Sequence, residues 1–311
     1  MRKKKWTVDD IPQQDGKIAI VTGANSGLGF NTAKALALKG AKVIMACRNH
    51  EKGEMARQKI MNNRVAADPE VWHLDLASLE SVEQFALKFA AAHKKLDLLF
   101  NNAGLMAIPY DRTEDGFEMQ FGVNHLGHFA LTARLWPLLS KTEGSRVIQV
   151  SSLAHYFGEI RFEDIHWEKG YKKWGAYGMS KLANLLFVRE LARRVTETGG
   201  GVTVAAAHPG YADTELQAKS ARMEGKQLGA KAMNLINKIL AQSGEKGALP
   251  SLYAATVDGV EQGAYFGPGG LLKMQGWPVQ DSPSKKLVNN ETADRLWVVS
   301  EALTGLEFKV R

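Results

Sequence analysis

The sequence predicts an α/β chain: a doubly wound parallel sheet of seven strands with helices on both faces. Three observations carry that prediction. Short apolar runs alternate with helix-length amphipathic segments, the first run breaks into a glycine-rich turn that opens a helix, and neither a repeat nor a Pro/Ser-rich linker divides the chain. The runs that read as strands are 17–22, 42–46, 70–74, 96–101, 146–151, 202–207 and 264–266. Helices are expected near 27–39, 50–63, 78–93, 114–139, 175–197 and 291–303. One domain over 1–311 is expected, because a chain of this length can bury a single large core. Two segments break the rhythm. The first, 153–174, is polar and aromatic; the second, 211–250, carries Met223, Met233, Leu235, Ile236, Ile239 and Leu240. Both follow the carboxyl ends of strands, where α/β sheets hold ligands, so they are expected to wall a substrate, the second as a cover.

Composition excludes several classes. With 45% hydrophobic and 23% charged residues the chain is an ordinary globular one. Part of its net charge of +7 sits in the tail Arg2, Lys3, Lys4, Lys5, which reads as solubilising, with contact to anionic lipid as the alternative. No aromatic–basic interleaving points to nucleic acid. The one cysteine, Cys47, rules out an internal disulfide framework and a cysteine-rich metal site, and suits a reducing compartment. No stretch approaches 18 apolar residues and no apolar segment follows the basic start, so a cytoplasmic protein without membrane contact is expected. No metal site is expected either: His125 and His128 lack a third donor and fit a helix face.

The first strand runs into Thr22-Gly23-Ala24-Asn25-Ser26-Gly27-Leu28-Gly29. Glycines there permit a tight turn and let a pyrophosphate approach backbone N–H groups at a helix start, where the helix dipole also favours anions. First strand, first helix and a second strand at the expected distance together indicate a dinucleotide. The second strand ends Met45-Ala46-Cys47-Arg48-Asn49. A carboxylate there would hold a ribose 2′-hydroxyl; an arginine suits a 2′-phosphate, so Arg48 selects NADP(H) over NAD(H).

Tyr177 and Lys181 stand four residues apart before the apolar run Leu182, Ala183, Leu185, Leu186, Phe187. On a helix they share one face, and a fixed cation beside a phenol favours the phenolate, giving a proton donor and acceptor.

In this setting the chain resembles the short-chain dehydrogenase/reductase family over nearly its whole length. Thr22–Gly29 is similar to that family's Thr-Gly-x3-Gly-x-Gly turn, with Gly23, Asn25, Ser26, Gly27, Leu28 and Gly29 at the cofactor. Asp75, with Leu76, resembles the aspartate whose neighbourhood receives adenine, and Arg48 with Asn49 falls at the ribose. Asn101-Asn102-Ala103-Gly104 resembles the Asn-Asn-Ala-Gly signature, with Asn102, Ala103 and Gly104 lining the cofactor. Asn124 resembles the catalytic asparagine and Ser152 the catalytic serine, while Tyr177 and Lys181 match Tyr-x3-Lys. Pro209, Gly210 and Thr214 resemble the turn and threonine that close over the nicotinamide. The resemblance implies a Rossmann-type sheet in the order 3-2-1-4-5-6-7. It also implies hydride transfer between NADP(H) and a carbonyl or alcohol: Tyr177 as general acid/base, Ser152 bonded to the same oxygen, Lys181 on Tyr177 and the nicotinamide ribose, and Asn124 anchoring a relay water.

Ala46-Cys47-Arg48-Asn49, Ser180-Lys181-Leu182-Ala183-Asn184, His208-Pro209-Gly210 and the long spacing from Ser152 to Tyr177 resemble the retinol-dehydrogenase-like branch. Protochlorophyllide reductases share the layout but typically use additional cysteines, and this chain has only Cys47. Tyr156, Phe157, Trp167, Trp174, Tyr211 and Met223 suggest a small apolar aldehyde, ketone or alcohol as substrate. A catalytically idle NADP(H)-binding regulator on the same fold is the competing class. The family often pairs subunits through the helices holding Asn124 and Tyr177, so homodimer and monomer both stay open.

Overall fold

A computed structural model describes residues 5–63, 65–211 and 243–310. Its sheet has eight strands in the order β3-β2-β1-β4-β5-β6-β7-β8. The first seven are β1 (Ile18–Thr22), β2 (Lys42–Cys47), β3 (Glu70–His73), β4 (Leu98–Asn101), β5 (Arg146–Val150), β6 (Thr203–Ala207) and β7 (Tyr265–Pro268). All seven are parallel. Their near-continuous burial is what a sheet covered on both faces requires. The expected strands and order are therefore present. The eighth, β8 (Pro278–Asp281), runs antiparallel to β7, pairing Tyr265 with Asp281 and Pro268 with Pro278. Pro278 lacks a donor for a ladder, which an edge strand tolerates.

One face of the sheet carries α1 (Gly27–Leu38), α2 (His50–Met61) and a helix absent from the sequence-based expectation, Gly244–Thr256. The other carries α3 (Leu79–Ala92), a broken segment before β5, and two more helices. In the broken segment the helix expected from 114 starts only at Met119. It comprises α4 (Met119–Phe121), a π turn over Gly122–Leu126 and α5 (Gly127–Leu139). Glu118 fixes that start, its carboxylate accepting from the N–H groups of Gln120 at 3.0 Å and Phe121 at 2.7 Å. The remaining helices, in chain order, are α6 (Lys173–Thr198), α7 (Gly244–Thr256) and α8 (Asn290–Thr304).

The helix α8 lies over the outer sides of α5 and α6. Trp297 stacks on Phe187 with ring centroids 6.0 Å apart, meets Phe129 edge-on at 5.2 Å, and packs on Phe308 at 4.9 Å. Among the described residues, no helix is long and apolar enough to cross a membrane.

Candidate active site

The glycine turn is built by close approach. Gly23 has φ +66° and Gly27 φ +56°, conformations that L side chains rarely adopt. At Gly29 the constraint is space: a Cβ would lie 2.4 Å from the oxygen of Gly23 and 2.5 Å from Nδ2 of Asn102. Asn102 in turn donates that amide to the oxygen of Thr22 at 2.7 Å, and the N–H groups of Asn102 and Ala103 both donate to the Thr22 hydroxyl at 2.9 Å. The two loops after β1 and β4 are thereby locked together. Ser26 caps α1 without spending its side chain on a cap hydrogen bond, so the hydroxyl and the first amides of the helix remain for an anion. One cleft is lined by Gly23, Asn25, Ser26, Gly27, Leu28, Gly29, Arg48, Asn49, Asp75, Leu76, Asn102, Ala103 and Gly104. These residues fit a dinucleotide: a backbone cradle that a Cβ would fill, with cations at one end.

At that end the Arg48 side chain is 66% exposed, and its Nε stands 3.9 Å from a carboxylate oxygen of Asp75. Such a loose, solvated pair leaves the guanidinium able to turn. Asn49 caps α2, accepting from the N–H of Lys52 at 2.8 Å. Asp75 turns its own loop, accepting from the N–H of Ala77 at 2.9 Å. Both residues have the structural job as well as the place in the cleft. Lys52 also lines the cleft, a second cation that the sequence reading missed. It stands one helical turn beyond Arg48, and that spacing is the signal that could have found it.

At the other end, beside Gly104 and Lys181, the Ser152 hydroxyl stands within reach of the Tyr177 phenol and favours its ionised form. Ser152 closes β5 and opens the 153–174 segment, while Tyr177 rides in the second turn of α6. Lys181 places its ammonium 5.9 Å from the Tyr177 ring centroid and donates to the oxygen of Val150 at 3.1 Å. Burial pushes Lys181 down to about 8. It pushes the Tyr177 phenol up, and the hydrogen bond from Ser152 only partly offsets this. The expected lowering of Tyr177 by Lys181 is not what the structure gives: desolvation dominates, and the phenol is pushed up.

Asn124 is in the same place but is already committed. Its Oδ1 accepts from the N–H of Leu105 at 2.7 Å, and its Nδ2 donates to the Leu105 oxygen at 2.9 Å and to the Ser180 hydroxyl at 2.8 Å. The side chain clips the loop after β4 to α6; a relay water would have to use the main-chain oxygen instead. That oxygen accepts from Nδ1 of His128 at 3.0 Å, so Nε2 is the nitrogen that accepts from the Thr22 hydroxyl at 3.0 Å. Burial holds His128 near 3 and His125 near 3, both neutral. His128 thus connects the glycine turn to Asn124, a role hidden when it is read only as one face of a helix. No group of three potential metal ligands occurs among the described residues.

Pro209 and Gly210 follow β6; Thr214 and Met223 lie outside the described residues. Trp174 meets Tyr177 edge-on at 6.1 Å and is exposed, as are Tyr156 and Phe157. Trp167 is not part of that wall. It is buried beneath Arg161, whose guanidinium lies 4.2 Å from its ring, and it fills the space that Gly175 leaves. Cys47 is buried in β2, its thiol pushed up to about 11, which suits an inert packing group.

Residues 17–225 match the family described as short chain dehydrogenase. The chain is 44% identical to human (Homo sapiens) retinol dehydrogenase 13 over 94% of its length and 86% of that protein's. It is 42% identical to mouse (Mus musculus) retinol dehydrogenase 12, covering 96% of this chain and 89% of the other. Among solved structures, an uncharacterized protein of Mycobacterium paratuberculosis is 41% identical with a TM-score of 0.81, over 99% of this chain and 100% of that one. A short chain dehydrogenase from Shigella flexneri complexed with NADP is 25% identical with a TM-score of 0.60, over 81% and 96%. With the glycine cradle and the Asn102–Gly104 loop in one cleft, Lys181 beside Gly104, and a family model matching residues 17–225, this chain belongs to the short-chain dehydrogenase family.

Proposed function

We propose that the protein is an NADP(H)-dependent oxidoreductase that transfers hydride between the nicotinamide and an apolar aldehyde, ketone or the matching alcohol. The reading is supported by one observation above all: the Ser152 and Tyr177 hydroxyls come within reach of each other beside the buried ammonium of Lys181, which itself lies against Gly104 of the dinucleotide cleft. The cofactor supplies the hydride at its C4 position. The chain's own groups handle the oxygen and its proton. Ser152 holds the substrate oxygen, and Tyr177 donates its proton to that oxygen in reduction or removes it in oxidation. A phenol held protonated by burial is suited to the reducing direction. Lys181 is placed to steady the negative charge that Tyr177 acquires on giving up its proton.

Arg48 and Lys52 supply two cations for a 2′-phosphate, in keeping with the NADP of the Shigella flexneri relative. The exposed Trp174, Tyr156 and Phe157, together with relatives named retinol dehydrogenases, favour a long apolar carbonyl compound over a polar one. The test is NADPH consumption with retinal and a series of alkyl and aryl aldehydes. Turnover rising with the apolar length of the aldehyde supports the reading. Absence of turnover with every carbonyl, while NADPH still binds, would leave the idle regulator.

A further inference from the structure

The loop that leaves β6 is tied to the sheet's extra edge by a buried pair. His208 has 0% side-chain exposure and Asp281, at the end of β8, has 6%. The N–H of Gly210 donates to Nδ1 of His208 at 3.2 Å. That nitrogen is therefore the acceptor, and the proton sits on Nε2, which donates to Asp281 Oδ2 at 3.0 Å. The other carboxylate oxygen of Asp281 accepts from Lys273 and from the N–H of Ser282 at 2.6 Å. Gly267 in β7 leaves the imidazole its room, since a Cβ there would lie 1.8 Å from Nε2. A second tie runs from the N–H of Tyr211 to the oxygen of Met274 at 2.8 Å. Gly210 itself is at φ +65°, and a Cβ on it would lie 2.4 Å from that same oxygen. The hairpin β7–β8 thus reaches back across the sheet's carboxyl end and fixes both the shape and the height of the 208–211 turn.

We propose that His208 and Asp281 are positioning residues: Asp281 selects which nitrogen of His208 carries the proton, and His208 thereby sets the Pro209–Gly210 turn against the cofactor. The inference rests on the dinucleotide reading given above. The tautomer is the working part. With the proton on Nδ1 the ring would face the Gly210 N–H donor to donor, and the turn would lose its anchor. Among the described residues, Lys273, Tyr156, His155 and Tyr265 are the other polar groups near this pair. Lys273 bonds the carboxylate and reaches the Tyr156 hydroxyl, Tyr265 packs on the imidazole with ring centroids 5.1 Å apart, and His155 meets Tyr265 edge-on at 5.9 Å.

Three variants test this: His208→Leu, His208→Asn and Asp281→Asn, each with NADPH affinity from fluorescence titration, melting temperature, and amide exchange at Gly210 without cofactor. Both His208 variants lose Asp281 and should melt together. An asparagine at 208 can still accept the Gly210 N–H, two residues on, as an Asx turn, so it should restore NADPH binding that leucine weakens about tenfold. Gly210 exchange should be slow in the asparagine variant and fast in the leucine one. In Asp281→Asn the new amide can donate to Nε2 and drive the proton to Nδ1, so NADPH affinity should fall several-fold. Equal affinity and equal Gly210 exchange in the two His208 variants would overturn the inference and leave a purely structural pair. If the unmodified chain binds no NADPH, the cofactor reading itself falls, and Gly210 exchange alone then decides whether the His208 anchor exists.

Discussion

The ammonium of Lys181 donates to the main-chain oxygen of Val150 at 3.1 Å, so α6 is fastened to the last residue of β5. Asn184, one turn later, donates to the same oxygen at 2.9 Å, and the Ser151 hydroxyl returns a bond to the oxygen of Lys181 at 2.8 Å. Three bonds between one strand end and one helix turn explain why Ser152 and Tyr177 meet although 25 residues separate them in sequence. The motif is thus a fastening as well as a proposed pair of reactive groups.

Tyr177→Phe keeps the ring and its edge-on contact with Trp174 while removing the proton. Turnover should fall by roughly 10²–10⁴, the usual weight of a general acid, with NADPH affinity changed less than about threefold. Stopped-flow NADPH oxidation and fluorescence titration on the same preparation separate the two. A variant that retains turnover would remove Tyr177 from the chemistry.

Arg48→Ala should discriminate between cofactors rather than weaken both. Losing one charge-assisted contact to a 2′-phosphate costs about 1.5–3 kcal/mol, so NADPH affinity should drop about tenfold or more while NADH affinity stays nearly constant. Lys52→Ala should act in the same direction, because both cations line the same end of the cleft. Equal losses for NADH and NADPH would mean that these side chains only shape the loop.

Gly29→Ala probes the cradle. The added methyl would need space now held by the Gly23 oxygen at 2.4 Å and Asn102 Nδ2 at 2.5 Å. Overpacking of this kind costs about 1–3 kcal/mol, and here it displaces the turn itself. Cofactor affinity is expected to fall at least about tenfold, with a smaller decline in thermal stability. Unchanged affinity by calorimetry would show that the turn has slack and that the close approach is incidental.

Much of this arrangement was legible in the sequence, for a physical reason. Parallel strands buried on both faces write themselves as unbroken apolar runs, so β1 to β6 fall within two residues of expectation. The Gly23–Gly29 turn announces itself because only glycine fits there. What escaped lacks such a signature. In β8 the run Pro278-Val279-Gln280-Asp281 neither alternates nor forms an apolar block. In α7, Gly244, Gly247 and Pro250 speak against a helix that burial of Leu249 and Leu252 nonetheless sustains. Asp281 and His208 are partners across 73 residues, and no local pattern encodes that pairing. His128 read as a bland helix histidine because its two partners, Thr22 and the oxygen of Asn124, depend on the π turn over 122–126.

Asp281 also makes a prediction about acid. His208 and Lys273 outweigh its burial and hold its carboxyl down to about 2. A carboxylate depressed in the folded state adds stability that is complete above its unfolded value near 3.9 and disappears as pH falls through the folded one. The stability advantage of the unmodified chain over Asp281→Asn should therefore shrink by roughly 2 kcal/mol between pH 4 and pH 2. Urea unfolding at a series of pH values reads this directly. A constant difference would show that neither partner favours the ionised form.

Trp297 and Phe308 close over Phe129, Phe187 and Trp136, so the chain's own aromatic rings cover this part of the side of α5 and α6 that points away from the sheet. Bracing of this kind predicts helices that keep their shape without a neighbouring subunit. Activity per milligram should then hold constant on dilution, and an enzyme free of that dependence can work as well when scarce as when abundant.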